Sequence, residues 1–109
     1  MPALGQIVLY KLSAQDADMI NRRRDDFRAF QRSQPPPHQP GQPGATGHVA
    51  HVGNPVQEGD LYPAVVARLF DGYDGANLQV LLDGNDAFWA TSRREGDAPG
   101  QWSYPVVSA

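Results

Sequence analysis

The sequence of 109 residues contains no cysteine. This absence excludes disulfide bonds, catalytic thiolates and metal sites built on cysteine ligands. It fits either a reducing compartment or an assembly that needs no covalent cross-links. The fold must therefore be held together by packing, hydrogen bonds and ion pairs.

Long apolar runs are also absent, since no stretch approaches the roughly 20 residues that span a bilayer. Residues 1–12 do not combine a cationic segment with an apolar run, as a secretion signal would. We therefore expect a soluble, unsecreted protein that makes no contact with a membrane.

An excess of basic charge is missing as well. The chain has 9 Lys and Arg residues against 12 Asp and Glu residues, which gives a formal net charge of −3. Because a general polyphosphate-binding surface needs positive charge, nucleic acid is disfavoured as a partner.

The motifs of common active sites are not found in the sequence. No serine lies in a G-x-S-x-G elbow, and no glycine-rich segment has the preceding strand and the lysine of a P-loop. His48 and His51 lack a third ligand, and residues 83–86 lack the glycine and glutamate that complete a calcium loop. We predict that the chain is not an enzyme and has no catalytic residues, cofactor or metal.

Glycine and proline, by contrast, are abundant, with 11 and 10 residues. The segment 34–47, QPPPHQPGQPGATG, cannot continue a helix, because proline lacks an amide donor and biases its predecessor toward extended backbone. Such a chain is semi-rigid and reaches about 3.1 Å per residue in the polyproline II form. It is either a disordered surface loop or an arm that lies on a neighbouring subunit through Pro35, Pro36 and Pro37.

A helix is predicted over residues 13–33. Ser13 and Asp16 form an acidic variant of the capping box at its start, and Arg28 and Arg32 suit the negative end of the helix dipole. At 100° per residue, one side of this helix collects the apolar residues Leu12, Ala17, Met19, Ile20, Phe27 and Phe30. We expect Ile20 and Phe27 to be buried against the strands.

Arg22, Arg23 and Arg24 form the strongest basic run. A helix projects consecutive residues about 100° apart, so the run is a weak phosphate clamp. Ion pairs at helical spacing, exposed or between subunits, are favoured with the aspartates Asp18, Asp25 and Asp26. Arg23 and Arg24 fall within the apolar stripe, which requires an acidic or aromatic surface facing them, either on the strands or on another subunit.

The remaining chain alternates short β-prone segments with turn residues. Residues 5–10 form the first predicted strand, since Gln6–Tyr10 is β-branched and aromatic. Four more strands are predicted at 61–70, 76–82, 87–93 and 101–107. The turn-rich sequence DGYDG predicts that the second and third strands pair as an antiparallel hairpin.

Five short strands would expose two edges, and closure into a small barrel removes them. We therefore predict a mainly β single domain over residues 1–109, with an SH3-like, Tudor-like five-stranded barrel. The amphipathic helix and the proline-rich arm are inserted after the first strand, and residues 48–107 complete the barrel. In so small a barrel, the aromatic residues Tyr62, Trp89, Trp102 and Tyr104 are either the core or an exposed patch for a partner.

Two segments resemble the Tudor branch of SH3-like barrels. These are Asp60–Ala67, which contains Tyr-Pro-Ala, and Leu82–Asn85 at the second hairpin. The resemblance implies the barrel fold and an aromatic cage for methylated side chains, which needs aromatic residues for cation–π attraction. Only Tyr62 remains of that aromatic pattern, so the departure weakens the methyl-reader function.

The whole chain is similar to small proteins encoded by tailed phages and prophages of actinobacteria. The residues that carry the similarity are 20–24, 48–54, 59–70, 77–86 and 89–102. The resemblance implies a virion-associated structural protein, of the minor capsid or decoration type, that is made in the host cytoplasm. Its partner would be the major capsid protein or another virion protein, bound on a lattice or as a homo-oligomer. The alternative is a module that binds nucleic acid or a host protein.

Overall fold

The structure, a computed structural model, describes residues 2–33, 54–84 and 86–106. Their secondary structure is β1 (Ile7–Lys11), α1 (Ala14–Ser33), β2 (Leu61–Phe70), β3 (Tyr73–Leu81), β4 (Ala87–Arg93) and β5 (Trp102–Ser103). The chain is therefore mainly β with one helix, as the sequence predicted. The predicted arm, together with His48 and His51, lies outside the described residues.

The five strands form one antiparallel sheet in the order β4-β3-β2-β1-β5. The predicted hairpin is confirmed, because β2 pairs with β3 and places Ala64 opposite Val80. Its turn is shorter than predicted: Gly72, at φ 72°, turns the chain, and Tyr73 already pairs with Phe70. Glycine reaches this left-handed conformation without a Cβ clash.

The predicted barrel closure is not confirmed, because the sheet is open between β4 and β5. Between these two margins, the backbone pairing found among the described residues is an isolated bridge between Glu95 and Trp102. The fifth strand is also much shorter than predicted. Pro105 lies in the predicted strand and has no amide hydrogen to contribute to a ladder.

Helix α1 packs against the inner face of the sheet and is hydrogen-bonded to both ends of β4. Near its start, Asp16 Oδ1 accepts a hydrogen bond from Arg93 Nη2 at 3.1 Å. About two turns later, Arg23 Nη2 donates to the carbonyl of Ala87 at 3.2 Å.

The core lies between the inner face of the sheet and α1. Alternate strand residues supply most of it, and the buried members are Val8, Tyr10, Ala64, Val66, Leu78, Val80, Phe88, Ala90 and Trp102. The helix adds Ala17 and Ile20. Burying one large aliphatic side chain contributes about 1.5–3 kcal/mol, so this layer is the main source of stability.

The capping box at the start of α1 is confirmed. Asp16 N donates to Ser13 Oγ at 3.0 Å, and Ser13 N donates to Asp16 Oδ2 at 3.1 Å. These bonds satisfy amide groups that the first turn of a helix leaves without partners. Ser13 is therefore the residue that fixes where the helix begins.

The buried side of α1 is narrower than the predicted apolar stripe. Ile20 is fully buried as expected, but Phe27 is only half-buried, and Met19 and Phe30 are exposed. Met19 lies about 100° around the helix from Ile20, outside the strip that meets the sheet. Arg24 occupies the next buried position instead of an apolar residue.

Candidate partner-binding surface

The second face of the sheet is apolar. In β1, the core residues Val8 and Tyr10 alternate with Ile7 and Leu9, which point to the opposite side. We call this side the outer face and define it by Ile7, Leu9, Leu61, Pro63, Val65, Leu81 and Trp89. An antiparallel sheet with one face toward water ordinarily carries polar residues there, so this composition needs an explanation.

Several of these side chains are strongly exposed. The exposed fraction is 46% for Ile7, 53% for Leu61, 43% for Leu81 and 60% for Trp89. Leu9 and Val65 are half-buried between them. Single exposed apolar residues are common, whereas a contiguous group marks an interaction site.

The strand register makes the outer face contiguous. Ile7 pairs with Val65, Val65 with Gln79, and Gln79 with Trp89, which gives one row across four strands. At about 4.8 Å between neighbouring strands, such a row is about 15 Å long. A second row beside it contains Leu9 opposite Pro63 and Leu81 opposite Ala87.

Charged groups stand only at the margins of the outer face within the described residues. At one end, Lys11 Nζ donates to the carbonyl of Asp97 at 2.6 Å. At the other end, the Arg68 guanidinium lies 5.4 Å from the ring centre of Phe70. The centre has one polar side chain, Gln79, so it suits an uncharged protein surface better than a phosphate backbone.

No protein-family model, curated protein or solved structure matches the chain. The resemblances to phage proteins and to Tudor barrels thus remain expectations from the sequence. Within the described residues, no helix combines the length and apolar character needed to cross a membrane.

The predicted aromatic residues do not form one patch. Trp102 is in the core, where its indole Nε1 donates to the carbonyl of Arg93 at 3.1 Å. Tyr104 packs edge-on against it at 5.2 Å. Tyr62 is half-buried opposite Tyr10, and burial raises the pKa of Tyr62 above its usual value. Trp89 alone lies on the outer face.

The three arginines of the run 22–24 form ion pairs and hydrogen bonds with other residues of the same chain. Arg23 Nη2 donates to both carboxylate oxygens of Asp86, at 3.0 and 2.9 Å. Arg24 is buried and donates to the carbonyls of Asn54 and Asp83. The acidic turn before β4 is thus the acidic surface that the sequence required.

Arg22 is the most exposed of the three arginines. Its Nε lies 3.1 Å from Asp18 Oδ2, one turn earlier in the helix. This is the helical ion pair that the spacing predicted. Pro35, Pro36 and Pro37 lie outside the described residues, so their predicted contact stays a prediction.

A polar cluster around Asp16 joins β1, α1 and β4. Tyr10 OH donates to Asp16 Oδ2 at 2.5 Å, and Arg93 Nη2 donates to Oδ1 of the same carboxylate. Burial and the bond to Asp16 raise the pKa of Tyr10 well above its usual range, so its hydroxyl stays a proton donor at neutral pH. The cluster therefore holds β1, α1 and β4 together.

Ile7, Leu61 and Leu81 were not predicted as interface residues. A signal was present: in Leu61–Phe70, apolar residues stand at both odd and even positions. Continuous apolar runs are typical of strands that are covered on both faces. The run therefore indicated a covered outer face, although it could not indicate what covers it.

Proposed function

We propose that the chain is a non-enzymatic structural protein whose outer face packs against an uncharged, apolar surface of another protein. The observation that carries the proposal is the contiguous exposed apolar face that ends at Trp89. Tryptophan is enriched among the residues that dominate binding energy. Each large apolar side chain that a partner removes from water contributes about 1.5–3 kcal/mol at most.

The setting that we propose is a virion, with the major capsid protein or another virion protein as the partner. The similarity of the sequence to small phage-encoded proteins supports this setting. A decoration or minor capsid protein also needs a surface for a lattice, and the outer face provides one. The arginines that a nucleic-acid interface would use are paired with Asp18 and Asp86.

We also infer that the sheet is an SH3-like barrel opened between β4 and β5. The order β5-β1-β2-β3-β4 supports this interpretation, because β2, β3 and β4 follow as a meander and β1 joins β5. The bridge between Glu95 and Trp102 lies where closure would occur.

The chain offers a direct probe of the outer face, because Lys11 is its only lysine. Lys11 lies on β1 opposite Leu61, at the margin of this face. Purified particles of the source phage or prophage would be treated with a short amine-reactive cross-linker and analysed by mass spectrometry. We expect cross-links from Lys11 to a virion protein. Absence of the chain from the particles would refute the virion setting, and its presence with cross-links from the amino terminus alone would count against the outer face.

A further inference from the structure

A cavity of about 580 Å³ opens between the start of α1, the end of β4 and the turn before β5. It is separate from the outer face. Two arginines, Arg93 and Arg94, line it together with Tyr73, Gly100 and one acidic residue, Glu58. Neither arginine pairs with Glu58 within 4.0 Å, although all of these residues are described.

A β-bulge brings Arg93 to this cavity. Ala76 pairs with Arg93 and Leu78 with Ala90, so two residues of β4 oppose Asn77 of β3. Ser92, the second of them, has a φ of 56°, which residues with a side chain rarely adopt. The extra residue reverses the alternation of β4, and Arg93 therefore turns inward to meet Asp16.

Side chains hold Ser92 in this conformation. Its amide donates to Asn77 Oδ1 at 2.8 Å, and its carbonyl accepts from Tyr73 OH at 3.2 Å. Uncommon backbone conformations that are fixed by their surroundings cluster at functional sites. Here the conformation determines where the two following arginines point.

Only some of the N–H donors of the Arg93 guanidinium have a hydrogen-bond acceptor among the described residues. Nη2 donates to Asp16, but Nε is buried without a partner, and Nη1 has none among the described residues. Gly100 lies beside Nη1, since a Cβ at that position would be in ordinary van der Waals contact with it, at 3.7 Å. An arginine has five N–H donors and no acceptor, so an acceptor from a ligand would complete its bonding.

Arg94 supplies the second cation. Its guanidinium lies 5.0 Å from the ring centre of Tyr73, and it has no ion pair with a described residue. The ring restricts where the guanidinium can lie, which lowers the entropic cost of holding a ligand.

We propose that this cavity binds an oxyanion, the carboxylate or phosphate group of a ligand, between Arg93 Nη1 and the Arg94 guanidinium. Guanidinium groups match the planar oxygens of such anions, and hydrogen bonds between ionised partners are the strong ones. Glu58 repels an anion in the same cavity, and Asp16 already neutralises part of the Arg93 charge. The site therefore binds an anion more weakly than two free arginines would.

The test uses the full chain and two probes, inorganic phosphate and acetate, each titrated at constant ionic strength with chloride as the background anion. Amide chemical shifts measured by NMR report binding residue by residue. We expect saturable shifts at residues 93, 94 and 100 with at least one probe. Saturable shifts with phosphate alone would identify a phosphate-bearing ligand, and saturable shifts with acetate alone would identify a carboxylate-bearing ligand.

Arg94→Gln should weaken this binding at least tenfold. Arg68→Gln is the matched control, because Arg68 also lies over an aromatic ring, Phe70, but outside the cavity. Glu58→Gln should tighten the binding a few-fold by removing the repelling charge. Lack of saturable binding of both probes would overturn the proposal, as would equal losses in Arg94→Gln and Arg68→Gln.

Discussion

Arg24 of the helix meets Asp86 of the turn before β4 inside the protein: Arg24 Nε lies 3.6 Å from Asp86 Oδ2, and 2% of the Arg24 side chain is exposed. Asp86 also forms an ion pair with Arg23. One carboxylate thus fixes the helix to the sheet through two neighbouring arginines.

Asp86→Ala should lower the free energy of unfolding by about 3–5 kcal/mol, because it leaves the buried Arg24 cation without its partner. Asp18→Ala is the matched control, since it breaks the exposed pair with Arg22 and should cost less than about 1 kcal/mol. Urea unfolding followed by circular dichroism measures both values. Equal, small losses would show that the buried pair contributes nothing.

Ser92 gives a second prediction. Its left-handed backbone suits glycine, so Ser92→Gly should change stability by less than about 1 kcal/mol in either direction. Ser92→Val places a β-branched residue in a conformation that it tolerates poorly, and we expect a loss of about 1–3 kcal/mol. A valine variant as stable as the glycine variant would contradict the strained bulge.

Ile20 and Phe27 lie in the first and second halves of α1, so substitutions at these two positions test how tightly each half packs against the sheet. Ile20 is fully buried, so Ile20→Ala should cost about 2–5 kcal/mol. Phe27 is half-buried, and Phe27→Ala should cost clearly less than Ile20→Ala when thermal and urea unfolding are compared. If Phe27→Ala were the more damaging change, the helix would pack against the sheet through its second half.

The stability should also depend on pH through Tyr10. Its pKa is raised in the folded chain, mainly by burial, so the folded chain holds this proton more tightly than the unfolded chain. The resulting stabilisation of the folded chain is fully present below the pKa of tyrosine in the unfolded chain, near 10. It decreases as the pH rises above that value, by at most about 1.4 kcal/mol per pH unit. Tyr10→Phe should be less stable at pH 7, where it lacks the bond to Asp16, but should lose less stability between pH 9 and 11. Parallel slopes for both proteins, measured by urea unfolding, would contradict this account.

Local sequence signals predicted the parts of the fold that depend on neighbouring residues. The cap at Ser13 and the hairpin turn after Phe70 each depend on a few adjacent side chains, and both are present, although the turn is shorter than predicted. The sequence predicted an acidic or aromatic surface facing Arg24, but the acidic turn that faces it lies about 60 residues away.

Other features depend on long-range packing and could not be predicted. Because both faces of β2 are apolar, periodicity could not tell which face meets the helix and which forms the outer face. The bulge at Ser92 has no glycine to mark it, and it changes the side on which Arg93 lies.

If the outer face binds a virion protein, as we propose, the most direct measurement compares Trp89→Ala with Met19→Ala in purified particles. Both residues are exposed, at 60% and 52%, but Met19 lies on the helix, away from the outer face. Each variant would first be shown to unfold within about 1 kcal/mol of the original protein, as expected for exposed positions. Quantitative mass spectrometry should then show at least a tenfold loss of Trp89→Ala from the particles and normal incorporation of Met19→Ala. Normal incorporation of Trp89→Ala would contradict the account.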